Sequence, residues 1–82
     1  MDPPRYPDSM RRDGIEGTVV IEGMIGTDGV PIALRVVEPV HFALATSALR
    51  AVREWRYEPT LLNGAPVEVP TTFELDFSLD AE

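Results

Sequence analysis

Eighty-two residues make one small domain, because a chain of this length buries only roughly 60–65% of the surface its unfolded form exposes. Fourteen acidic residues against seven arginines and no lysine leave a net charge of −7, so no basic stripe is available for phosphates, and nucleic acid and anionic lipid are not expected as partners. The absence of cysteine removes disulfides, thiolate metal sites and cysteine nucleophiles, and no apolar run approaches the roughly 20 residues of a membrane-spanning helix.

Residues 1–5 read as the end of a Pro-rich linker, 6–80 as the domain and 81–82 as a tail. Pro3, Pro4 and Pro7 favour an extended start. Met1-Asp2-Pro3-Pro4 does not read as a signal peptide, so if the domain works outside the cytoplasm its export or anchoring segment is expected outside these residues. A short helix is predicted from about Pro7 to Asp13, with Pro7 at its first position, Asp8 in the first turn, and Arg11 and Arg12 at the negative end of the dipole. Gly14 stands where a left-handed residue would close that helix.

From Gly17 the period becomes two. Val19, Ile21, Gly23 and Ile25 share one face, and Thr18, Val20, Glu22 and Met24 share the other, which predicts a strand apolar on much of both faces. Asp28-Gly29 between two apolar runs signals a hairpin. In the returning strand Ile32, Leu34 and Val36 are expected on one face and Ala33, Arg35 and Val37 on the other, with Pro39 ending it. Between Phe42 and Trp55 the spacing turns helical: Leu44, Ala48, Val52 and Trp55 form a stripe joined by Ala51. No Ser, Thr, Asp or Asn precedes Phe42 as an N-cap, Pro59 is read as ending the helical segment, and Asn63-Gly64 predicts a tight turn. Last comes a strand from Val67 to Leu79, with Val67, Val69, Thr71, Phe73, Leu75, Phe77 and Leu79 inward and Glu68, Pro70, Thr72, Glu74, Asp76 and Ser78 outward.

Three strands and one amphipathic helix, preceded by a short one, define an α+β two-layer sandwich with a three-stranded antiparallel sheet in the order αββαβ. Proline cannot donate to a ladder. Pro70 lies inside the last strand and Pro31 opens the second, so the first, proline-free strand is expected at the centre with the last antiparallel beside it. A parallel crossover beside the second strand is the alternative. The expected arrangement leaves the last strand with an unpaired edge, a template for another chain. From Val67 to Glu82 there are five acids and no base, which discourages self-pairing. The outward residues Val20, Met24, Ala33 and Val37 read first as scattered exposed aliphatics of a small sheet, with an apolar strip for a homodimer contact as the alternative.

Chemistry is sparse. His41, the lone histidine, has no cysteine or carboxylate cluster near it in sequence and reads as a residue at the start of the long helix. Glu74, Asp76 and Asp80 fit the solvated face of an alternating strand. Gly23, Gly26 and Gly29 lack the phosphate-cradling spacing, and Ser9 and Ser47 have no base at a recognisable spacing. A non-enzymatic domain without a cofactor is expected.

Taken in order, Tyr6-Pro7, then Gly14-Ile15-Glu16-Gly17-Thr18-Val19-Val20, Asp28-Gly29, Ala48 through Pro59 with its Trp55-Arg56-Tyr57, Asn63-Gly64 and Pro66-Val67 closely resemble the C-terminal domain of TonB-family energy transducers. The resemblance covers almost the whole chain, and it is the order and spacing, not any single motif, that make it specific. It implies a periplasmic domain of an inner-membrane-anchored protein, coupled through residues outside this chain to a proton-driven motor complex. It further implies that the domain captures the TonB box of outer-membrane receptors by strand addition, for uptake of iron chelates, vitamin B12 and similar solutes. The partner-binding residues so implied are Tyr6, Pro7, Val69, Thr71, Thr72, Phe73, Glu74, Leu75, Asp76 and Phe77. The structural ones are Gly14, Gly17, Gly29, Trp55, Tyr57, Pro59, Asn63 and Gly64. Similar domains also resemble the C-terminal parts of membrane-anchored metallopeptidases or sensors, where the role would be interaction or sensing. The chain departs from the family at Gly23, where relatives often carry a bulky apolar residue, at Glu38-Pro39-Val40 in place of a Ser-rich loop, and at Ala45 in place of an acid. A void or a different repacking is expected at Gly23.

Overall fold

Alternating and helical apolar periods resolve into seven elements in a computed structural model that describes residues 4–37 and 41–78. In chain order these are α1 (Asp8–Arg12), β1 (Gly17–Ile25), β2 (Pro31–Val36), α2 (Phe42–Glu54), β3 (Thr60–Leu62), β4 (Ala65–Val67) and β5 (Val69–Phe77). The readings of Pro3, Glu38-Pro39-Val40, Leu79, Asp80 and the tail lie outside the described residues.

The proline-free strand β1 is central: the three-stranded sheet runs β2-β1-β5, and both pairings are antiparallel. Its inward residues Val19 and Ile21 are fully buried, with Ile25, Phe73, Leu75 and Phe77 on the same face beneath Leu44, Ala48 and Val52 of α2. One apolar helix stripe laid on one apolar sheet face, joined by the buried Met10 of α1, makes the core, the two-layer solution available to so short a chain.

The short helix is one residue shorter at each end than its sequence boundaries. Pro7 is extended and caps it, and Gly14 at φ 68 closes it. Ile15 N–H donates to Met10 C=O at 2.9 Å and Gly14 N–H to Arg11 C=O at 3.3 Å, the paired bonds of a Schellman motif that satisfy carbonyls the helix would otherwise leave open. In α2 the N-cap is His41, whose Nδ1 accepts from Ala43 N–H at 3.2 Å. An imidazole nitrogen here does what a Ser or Asp side chain usually does.

The far end of α2 departs from the reading that Pro59 stops it. The helix ends at Glu54, and Trp55 is already extended at φ −71, ψ 147. Two interactions fix this exit. Arg56 donates from Nη1 to the carbonyls of Arg53 and Trp55 at 2.8 and 2.7 Å, capping the last turn. Two residues further on, Tyr57 N–H donates to Gly29 C=O at 3.0 Å, so the chain is tied to the β1–β2 turn before it reaches Pro59.

That tie needs glycine at 29. Its φ is 81, and a Cβ there would stand 1.9 Å from the Tyr57 carbonyl oxygen. Gly29→Ala is therefore expected to destabilise by about 2–3 kcal/mol, from left-handed strain plus a lost hydrogen bond, seen as a lower urea midpoint at unchanged slope. Gly64→Ala, at φ 82 but with nothing within 4 Å, should lose only about 1–2 kcal/mol from strain alone.

Strand β2 carries a bulge that the alternation in sequence conceals. Glu22 pairs with Arg35 but Met24 pairs with Ile32, so two residues of β2 oppose Gly23. Ala33, at φ 54, is one of them. The extra residue reverses the phase: Leu34 and Val36 stay against the core, whereas Ile32 moves to the outward face beside Met24 and is 38% exposed. The expected shared face of Ile32, Leu34 and Val36 is corrected accordingly. At Gly23 repacking replaces the void, since a Cβ would lie 2.6 Å from Leu34 Cδ2 and 2.8 Å from the Ile32 carbonyl.

The run from Val67 to Leu79 is not one strand. Val67 belongs to β4, which pairs with β3 in a second, two-stranded sheet, and β5 begins only after Glu68. Asn63 and Gly64, at φ 52 and 82, supply the two left-handed residues of a type I′ turn, which pulls the flanking residues into a local hairpin.

Candidate functional site

The backbone phase of the sheet decides which side of β5 is open. Val37 N–H donates to Val20 C=O at 3.0 Å, so Val20 directs its backbone groups toward β2. Alternation along β1 then turns the odd-numbered residues toward β5. The β1–β5 register runs unbroken from Gly17 opposite Phe77 to Ile25 opposite Val69. Val69, Thr71, Phe73, Leu75 and Phe77 thus pair with β1, whereas Thr72, Glu74 and Asp76 point both N–H and C=O away from the sheet. Pro70, opposite Met24, falls in the outward set, where its missing N–H removes no ladder bond. Among the described residues no strand pairs along that side.

The implied partner-binding residues therefore divide. The backbones of Thr72, Glu74 and Asp76 form the free edge, and their side chains are exposed on the outer face. Phe73, Leu75 and Phe77 are only 3–4% exposed; they belong to the core, with Val69 and Thr71 half-buried between edge and core. Tyr6 stacks edge-on against Phe77 at 5.5 Å, its hydroxyl donates to the Ile15 carbonyl, and the Arg11 guanidinium lies 5.3 Å from its ring centre. With Pro7 capping α1, Tyr6 clamps the N-terminal segment onto the end of β5. At the middle of the strand, the Trp55 and Tyr57 rings lie 6.2 and 6.3 Å from Phe73, and burial raises the Tyr57 phenol above its ordinary pKa.

Of the residues assigned structural roles, Gly14, Gly29, Asn63 and Gly64 occupy left-handed positions. Gly17 does not, and a Cβ there would make an ordinary 3.8 Å contact with Leu44. Pro59 is exposed beside the Gly29–Tyr57 tie. The outward strip contains Val20, Met24 and Val37 half-buried and Ala33 exposed, with Ile32 added by the bulge. Sequence reasoning missed the β3–β4 hairpin as strands and its exposed Leu61 and Leu62; the apolar pairs on both sides of Asn63-Gly64 were the available signal.

Away from that edge, an open groove of about 570 Å³ lies between the N-terminal segment and α2, walled by Arg5, Asp8, Phe42 and Arg50. Ser47 within it donates to the Arg5 carbonyl rather than to a base. Among the described residues no three His, Asp or Glu side chains gather as metal ligands.

Fold and edge together define a small α+β domain with an open strand able to accept another strand. The family described as Gram-negative bacterial TonB protein C-terminal matches residues 2–79, and the chain belongs to it. It is 37% identical over 78 residues to the TonB protein of Vibrio cholerae, covering 89% of this chain and 32% of that protein. It is 33% identical over 81 residues to that of Pseudomonas aeruginosa, covering 98% and 24%. The chain thus spans a third or less of the length of these relatives. The solution structure of the Pseudomonas aeruginosa TonB C-terminal domain superposes with a TM-score of 0.81 at 32% identity over 98% of this chain and 82% of that one. The TonB2 protein of Vibrio anguillarum gives 0.70 at 27% identity over 92% and 73%. The family is one of energy-transducing binding domains, not of enzymes.

Proposed function

We propose that this domain captures an extended segment of a partner protein by adding it as a fourth strand along β5. In a TonB-type transducer that segment is the TonB box of an outer-membrane receptor, and the cargo is an iron chelate or a vitamin B12-like solute. The domain then works in the periplasm, joined through residues outside this chain to an inner-membrane anchor and a proton-driven motor. One observation carries the reading: Thr72, Glu74 and Asp76 present consecutive unpaired donor and acceptor pairs on the outer side of a strand whose inner side is locked to β1 over nine residues. Main-chain bonds of this kind give affinity without a pocket, and they share a pull along the strand across several bonds at once. A second copy added to the same edge would set Glu74 and Asp76 against their own equivalents, so like charge opposes self-pairing there.

Titration with a receptor-derived extended peptide, followed by amide shifts, tests the reading. The largest changes are expected at Thr72, Glu74 and Asp76. Changes confined to α1 and α2 would reject strand addition.

A further inference from the structure

Resting on that reading, we infer that the edge selects a strand with basic side chains at alternate positions, set opposite Glu74 and Asp76. Residues whose backbones point to the free edge also carry their side chains on the outer sheet face, because β1 pairing fixes the odd-numbered residues of β5 inward. A strand added there takes its hydrogen bonds from the outward N–H and C=O groups of Thr72, Glu74 and Asp76. Whichever way it runs, its residues beside these three place their side chains on the same outer face, within reach of cross-strand pairing.

The charge on that face is one-sided where the newcomer lands. Glu74 and Asp76 are exposed, and Asp76 accepts a hydrogen bond from the neutral Thr18 hydroxyl at 3.2 Å. The base on this face, Arg35, sits on β2, two strands or roughly 10 Å away, and is held at 2.8 Å by Glu22. Cross-strand neighbours of Glu74 and Asp76 on β1 are Val20 and Thr18, neither of which neutralises them. A docked strand with Lys or Arg at the two facing positions completes two opposite-charge cross-strand pairs, whereas acids there add repulsion. Pro70 bounds the register, since it offers the edge a carbonyl but no donor, so the charge-reading pair falls in the donor-bearing half of the strand.

Three synthetic peptides with the same alternating apolar positions, carrying Lys, Ser or Glu at the outward positions, provide the test against the 82-residue chain. The Lys peptide is expected to bind roughly 5- to 10-fold more tightly than the Ser peptide, and the Glu peptide more weakly than either. The Lys advantage should shrink toward one at high salt and in the double variant Glu74→Gln/Asp76→Asn. Equal affinities for all three, with amide shifts still centred on Thr72, Glu74 and Asp76, would overturn the charge selection while leaving strand addition standing. No binding by any of them would overturn both.

Discussion

Phe73→Ala is expected to cost about 3–5 kcal/mol. At roughly 0.05–0.15 kcal/mol per residue, a domain of this size holds on the order of 4–12 kcal/mol in total, so the variant should be marginally folded at room temperature. Phe73 is 4% exposed, lies opposite the fully buried Ile21, and carries both the Trp55 and the Tyr57 ring on its flank. Removing it vacates the place where the sheet meets the exit of α2. Backbone bonds from Trp55 to Val52 and from Tyr57 to Gly29 hold the main chain in place there, which limits how far the site can collapse. Thermal melting checks this, and a fall of less than a few degrees would show that the core does not depend on this ring. Trp55→Ala should cost less, since Trp55 is only half-buried and shares its anchoring with Tyr57.

The core layout was legible because each of its parts has one dominant period. Alternation along β5, with Phe73, Leu75 and Phe77 buried and Val69 and Thr71 half-buried, and the Leu44, Ala48, Val52 stripe both survive in the structure, and proline placement alone identified β1 as the central strand. What escaped was set by tertiary or very local events. Ala33 in a left-handed conformation is stabilised by pairing opposite Gly23, and no intrinsic preference of alanine announces it. The end of α2 is decided by a backbone bond to Gly29, 28 residues earlier in the chain, which no helix-stop signal near Glu54 encodes. At the edge, sequence reasoning grouped the residues of β5 together. Which of them offer hydrogen bonds to a partner depends on the phase set by the β1–β5 register, and composition carries no trace of that.

Proline substitution at adjacent positions separates the two sides of β5. Thr72→Pro is expected to fold, because Pro70 already sits on the same outward side of the same strand and Thr71 before it is extended, as a residue preceding proline must be. It removes one of three outward donors and puts a ring in the path of an incoming strand. Peptide affinity should therefore fall on the order of 10-fold or more, as expected for a lost bond that also leaves a partner carbonyl unsatisfied. Thr71→Pro acts on the other side. It deletes an N–H directed at β1, where Thr71 faces Gly23, and leaves a ladder carbonyl without its donor at a cost of about 1–3 kcal/mol before any steric strain. Circular dichroism melts and peptide titration on both variants decide the matter: Thr72→Pro should keep its melting transition and lose the peptide, and Thr71→Pro should lose the transition first. Equal peptide affinity in Thr72→Pro and the unaltered chain would mean that the partner does not lie along this edge, whatever surface it does use.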